Sequence, residues 1–125
     1  MRRENDLIRT LMLHLESANR VVNTSHSVDG YTTEQVSYHL AQIIDSGLAV
    51  GSVRYSIGNE DPTIPSGVMV QRLTPAGHDF IESIRNDTVW KKVKSKSAEV
   101  GGDISISLLK ELGTLFTRQL LGLGD

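Results

Sequence analysis

Apolar residues recur at three- and four-residue spacing along four stretches of this chain and alternate along two others. The first helical stretch is 5–18, where Leu7, Ile8, Leu11, Met12, Leu15 and Ala18 share one side. Asn5 or Asp6 is placed to cap its first turn, where an accepting side chain also suits the helix dipole. Residues 19–31, NRVVNTSHSVDGY, are rich in turn formers; they predict a brief strand near Val21–Val22 and a turn at Asp29–Gly30. A second helix is written into 32–48, TTEQVSYHLAQIIDSGL. Thr32 followed three residues later by Gln35 is a capping-box pattern. Val36, Leu40, Ile43 and Ile44 form its apolar face, Gly47 stands where a C-terminal cap belongs, and Leu48 folds back on that face.

Alternation takes over at 49–57, AVGSVRYSI, through Val53, Tyr55 and Ile57, and 67–73, GVMVQRL, is its partner strand. The intervening GNEDPTIPS holds two prolines and a glycine, so the hairpin has a long loop, acidic at Glu60 and Asp61. Thr74-Pro75 opens a third helix with a good cap and a residue favoured at the first helical position. Phe80, Ile81 and Ile84 are its apolar face, and Asn86-Asp87-Thr88 kinks or restarts it. Val89, Trp90 and Val93 then lead into Lys91, Lys92, Lys94 and Lys96, before SAEVGGD at 97–103 breaks the pattern. The last helix, about 104–121, carries a broad stripe of Ile104, Leu108, Leu109, Leu112, Leu115, Phe116, Leu120 and Leu121. The sum is an α+β chain read as one domain over 1–125. It has a winged-helix-like core at 4–85, a basic helical segment at 86–97 and an apolar C-terminal helix at 103–122.

Composition narrows the function classes. A chain of 125 residues suffices for one core, and a net charge of −2 provides no overall basic field for nucleic acid. The absence of cysteine removes disulfides, thiolate metal sites and cysteine nucleophiles, and fits a reducing cytoplasm. The opening MRRENDLIRTLMLHL is interrupted by Glu4, Asn5, Asp6, Arg9, Thr10 and His14, so no signal peptide is expected. No apolar run reaches the length of about 18 residues that a membrane helix needs. A cytoplasmic location is therefore expected.

A helix ending G-L-x-V at 47–50, then a hairpin, then RLTPAGHDFI at 72–81 resembles winged-helix regulators of the MarR and PadR kinds. That resemblance implies a recognition helix at 32–48, followed by a wing that touches DNA backbone. The chain departs from the pattern at 19–31, where a support helix is expected and turn formers stand instead. A further resemblance covers most of the chain. R-x-x-D-L-I-R at Arg3–Arg9, G-Y-T-x-E-x-V-x-Y-H-L at Gly30–Leu40 and L-T-x-x-G-H-x-F-I-x-x-I-R-N-D-x-V-W at Leu73–Trp90 carry it, with G-G-D-I-S-I-x-L-L-K-x-L at 101–112. These look like the domain-of-unknown-function family two-five-one-three. The resemblance implies a small bacterial or phage-associated protein and supplies no catalytic or binding residues.

Four residues on the second helix, Gln35, Tyr38, His39 and Gln42, lie away from its apolar face and are candidates for base readout. The competing reading is a solvated face, since the helix has no lysine or arginine and carries Glu34 and Asp45. Lys91, Lys92, Lys94 and Lys96 are candidates for phosphate contact, or else suit the end of a helix. Trp90 beside them is expected in the core. Leu109, Leu112, Leu115, Phe116 and Leu120 are candidates for a partner interface, with a homodimer through the last helix expected.

Catalysis is not indicated. His14, His26, His39 and His78 show no i,i+4 pairing, His26 with Asp29 reads as a loop contact, and no cofactor or metal motif occurs. The expected function is a regulatory module, not an enzyme, that binds duplex DNA weakly or together with a partner. The alternative is a protein-interaction module on the same frame without DNA binding.

Overall fold

The computed structural model describes residues 1–23, 26–58 and 60–124. Its elements are α1 (Asn5–Ser17), β1 (Val22–Asn23), α2 (Thr33–Asp45), β2 (Ala49–Arg54), β3 (Gly67–Leu73), α3 (Pro75–Ile84), α4 (Asp87–Ala98) and α5 (Ile106–Leu120). Five helices and a three-stranded antiparallel sheet make an α+β protein. Two compact units divide the chain, Met1–His78 and Asp79–Asp125. Among the described residues, no helix is long and apolar enough to cross a membrane.

In the first unit, α2 packs on α1 and on both hairpin strands. That double contact explains why its buried face is wider than periodicity alone indicates. Val36, Ser37, His39, Leu40, Ala41 and Ile43 are all buried, whereas Ile44 is only half-buried. Both ends of α2 are fixed by local chemistry. Thr32 Oγ1 accepts from the Gln35 N–H (3.1 Å) and Gln35 Oε1 accepts from the Thr32 N–H (2.8 Å), completing the capping box. At the far end Gly47 takes φ +78°, the Leu48 N–H donates to Ile43 O and the Gly47 N–H to Ile44 O, a Schellman motif.

The sheet order is β1-β3-β2. β1 falls one residue later than expected, since Val22 pairs with Val70 and is buried while Val21 is exposed. β2 stops at Arg54, opposite Gly67, so the strand expected to run to 57 is shorter. The alternation continues to Ile57, but the partner strand does not, and Tyr55 and Ile57 are exposed. Gln71 is the extra residue of a bulge, because Val50 faces Arg72 and Gly51 faces Val70. Only a glycine fits there: a Cβ on Gly51 would lie 2.1 Å from Met69 O. Between α1 and α2 the described residues form β1 and turns, with no helix.

α1 starts at Asn5, yet neither Asn5 nor Asp6 caps it. Glu4 is the cap residue and makes no side-chain cap bond. Its N–H instead donates to His39 Nε2 (2.8 Å), a link from α2 that fixes where the helix begins. The acidic loop is docked rather than open. Asp61 accepts from the Thr63 N–H and hydroxyl, and lies 3.8 Å from the Met1 amine. α3 opens as expected, with Thr74 Oγ1 accepting from the Gly77 N–H (3.0 Å) and donating to Gly47 O (2.6 Å).

In the second unit the chain restarts at Asn86, whose Oδ1 accepts from the Val89 N–H and caps α4. Ser105 caps α5 in the same way through Leu108, later than the sequence pattern indicates. The α4–α5 connection passes through Gly101 and Gly102, both at positive φ. Phe80, Ile81, Ile84, Val89, Trp90, Val93, Leu109 and Phe116 are the buried apolar side chains of this unit. α5 meets the end of α3 at Gly113, where a Cβ would lie 2.5 Å from Ser83 O. Thr117 donates to that same carbonyl (3.2 Å).

Candidate functional site

The four α2 residues proposed for readout do not form one exposed row. His39 is fully buried, a correction to its expected outward placement. Its Nε2 accepts from the Glu4 N–H, so Nδ1 carries the proton and donates to Gln35 O (2.6 Å). Both ring nitrogens are thus committed to holding α1 against α2. Gln35 is engaged as well, since its Oε1 serves the capping box and its Nε2 lies 3.4 Å from Glu4 Oε2. Tyr38 and Gln42 remain half-exposed. The accessible side of α2 therefore presents Glu34, Tyr38, Gln42 and Asp45. Glu34 also lines a hollow with Glu60, Asp61, Ile64 and Pro65, so the docked hairpin loop adds two carboxylates beside the start of α2.

A second polar feature lies at the other end of α1. The rings of His14 and His26 stack with centroids 3.8 Å apart and planes 15° from parallel. They line a cleft with Ser17, Asn19, Arg20 and Asn23, in which no carboxylate takes part among the described residues. Burial, and secondly the neighbouring His14, hold the His26 imidazole below its ordinary value of 6.5. The His26 ring thus stacks on that of His14, a residue of α1. No group of three or more His, Asp or Glu side chains is arranged to hold a metal ion among the described residues.

In the second unit α4 exposes all four candidate lysines, Lys91, Lys92, Lys94 and Lys96. Val89, Trp90, Val93 and Ser97 are its buried side. Trp90 is 5% exposed, so its indole is part of the core and not a stacking platform. Lys96 lies 3.6 Å from Glu99, an exposed i,i+3 pair of small worth.

The proposed partner face of α5 also divides. Leu109 and Phe116 are buried, which removes them from any interface and corrects that expectation. Leu112 and Leu115 are half-buried, and Leu120 is 54% exposed. Leu108, at 48%, and Leu121 and Leu123 are exposed apolar residues of the same region. Sequence reasoning missed Glu4 and the His14–His26 pair, because each gains its role from a residue on another segment.

The family model described as "Hypothetical protein (DUF2513)" matches residues 2–103. A relative from Haemophilus influenzae, itself described as an uncharacterized protein, is 34% identical over 124 residues, covering 97% of this chain and 99% of that one. No solved structure matches the chain.

Proposed function

The chain belongs to the DUF2513 family, and from that premise we propose that it is a regulatory module on a winged-helix-like frame. On this reading it acts by binding another protein through the outward side of α2, and does not read a DNA groove there. The element order supports the frame: helix, short strand, helix, hairpin, then a helix opened by Thr74-Pro75. One observation carries the choice of partner. The accessible side of α2 is acidic, with Glu34 and Asp45 on the helix and Glu60 and Asp61 beside its start. DNA presents one negative charge per about 1.7 Å of helix axis, so a groove-reading approach of this face meets repulsion. A protein with a basic rim around an apolar or aromatic contact suits Tyr38 among those carboxylates.

Four exposed lysines on α4 favour a second reading, contact with nucleic-acid phosphates without base readout. In either case the family resemblance suggests a phage or prophage setting, with work in the cytoplasm. Titration of a labelled duplex at low and moderate salt separates the readings. No duplex binding at low salt supports the protein-binding module. Binding that weakens steeply with salt, and is lost when Lys91, Lys92 and Lys96 are changed to Glu, supports the phosphate-contact reading. Sequence-selective binding lost in Tyr38→Ala or Gln42→Ala overturns the first reading.

A further inference from the structure

α5 carries a row that its own unit leaves uncovered. Leu108, Glu111, Leu115 and Arg118 follow one another at three- and four-residue steps, so they lie along one side of the helix. That side is away from Leu109, Gly113 and Phe116, which are the buried positions. Leu108, Glu111 and Arg118 are exposed and Leu115 is half-buried. Arg118 makes one long bond, to Leu123 O at 3.3 Å, which leaves most of its guanidinium donors available.

The order of charges along the row selects an occupant. We propose that this row is a self-association surface, on which α5 of a second copy lies antiparallel across a two-fold axis close to Leu115. Glu111 and Arg118 stand on either side of that axis at nearly equal distance along the helix. Antiparallel pairing therefore sets Glu111 of each copy beside Arg118 of the other, and the symmetry makes the contact twice. Parallel pairing would set Glu111 against Glu111 and Arg118 against Arg118, which is repulsive. Leu115 from the two copies meets near the axis, and Leu108 reaches the far end of the partner helix, where Leu121 is exposed. This arrangement does not depend on whether the module binds protein or DNA.

The contact is modest. Two helices of 15 residues each bury less than the roughly 1,200–2,000 Å² of a standard stable interface, so the equilibrium is concentration-dependent. The chain has no cysteine, which makes a single introduced thiol a clean reporter. Helices packed about 8–10 Å apart bring facing Cα atoms within reach of a disulfide. Leu115→Cys is expected to form a disulfide-linked dimer on mild oxidation, and Lys92→Cys, exposed on α4, is not.

Sedimentation equilibrium then tests the charges. Glu111→Arg alone and Arg118→Glu alone are each expected to weaken self-association about tenfold or more, because the axis counts each change twice. The double variant Glu111→Arg/Arg118→Glu is expected to return to within about threefold of the original, as reversed partners restore the pairs. Circular dichroism checks that each variant keeps its helices. A chain that stays monomeric at high concentration overturns the proposal. Equal cross-linking at positions 92 and 115, or a double variant no better than the singles, overturns it as well.

Discussion

Replacing His39 by leucine tests the link that fixes the start of α1. Leucine keeps the apolar bulk of the fully buried ring, so little cavity cost is added. Two hydrogen bonds disappear. The Glu4 N–H loses its 2.8 Å acceptor in a part-buried setting, and a donor of that kind left without a partner costs about 1–3 kcal/mol. The bond from Nδ1 to Gln35 O contributes about 1 kcal/mol more. A loss of about 2–4 kcal/mol is expected, which lowers a urea midpoint by roughly 1–2 M at ordinary slopes. The effect also has a local signature. The Ile8 N–H donates to Glu4 O (3.1 Å), so its exchange with solvent should quicken as residue 4 is released. His39→Gln, whose amide retains an acceptor, recovers part of the loss. A leucine variant within about 0.5 kcal/mol of the original would show that the Glu4–His39 bond is incidental.

Substitutions at two glycines and one titration follow from the same structure. Gly113→Ala improves helix propensity by about 1 kcal/mol, but its Cβ has no room against Ser83 O and Ile84 Cγ2. Overpacking costs about 1–3 kcal/mol, so a lowered melting midpoint is expected, and a raised one would mean α5 does not approach α3 this closely. Gly47→Ala meets no atom within 4 Å yet must hold φ +78°, so a loss of about 1–2 kcal/mol should come from backbone strain alone. Gly47→Asn, measured in the same denaturant series, should be milder. The fold favours neutral His26, so its contribution is fully present above pH 6.5 and is lost as pH falls through its lowered folded value. Only His14 and Arg20 among ionisable groups line its cleft among the described residues, so no acid there offsets the added proton. Denaturant midpoints taken between about pH 7.5 and 5 should fall, and His26→Gln should flatten that slope; an unchanged slope counts against the effect.

The features readable from the sequence were those whose partners lie close by along the chain. Thr32 with Gln35, Gly47 with Leu48, and Thr74 with Gly77 each act within one helical turn, so residue type and spacing were sufficient. His39 was misplaced because its acceptor role depends on Glu4, on a different helix. Periodicity put it on the outer side of α2, and only the packing of α1 covers that side. Tyr55 and Ile57 kept the alternation of a strand after its partner had ended, since pattern reports which side a residue faces but not whether a neighbouring strand is there. For α5, stripe width indicated that apolar surface exceeds one packed face. It could not assign Leu109 and Phe116 to the inside and Leu108 and Leu120 to the outside.

The middle position of β3 also governs when this protein can fold as it is synthesised. Among the described residues β1 and β2 each pair with β3 and not with one another, so this sheet cannot form until Gly67–Leu73 has been made. Until then α1 and α2 lack the cover that β3 gives both of them, and contacts this distant in sequence are slow to close. A nascent chain stalled before residue 67 therefore presents Leu40, Ile43 and Val22 without their final cover. During translation this is the interval in which a chaperone would find the most to hold.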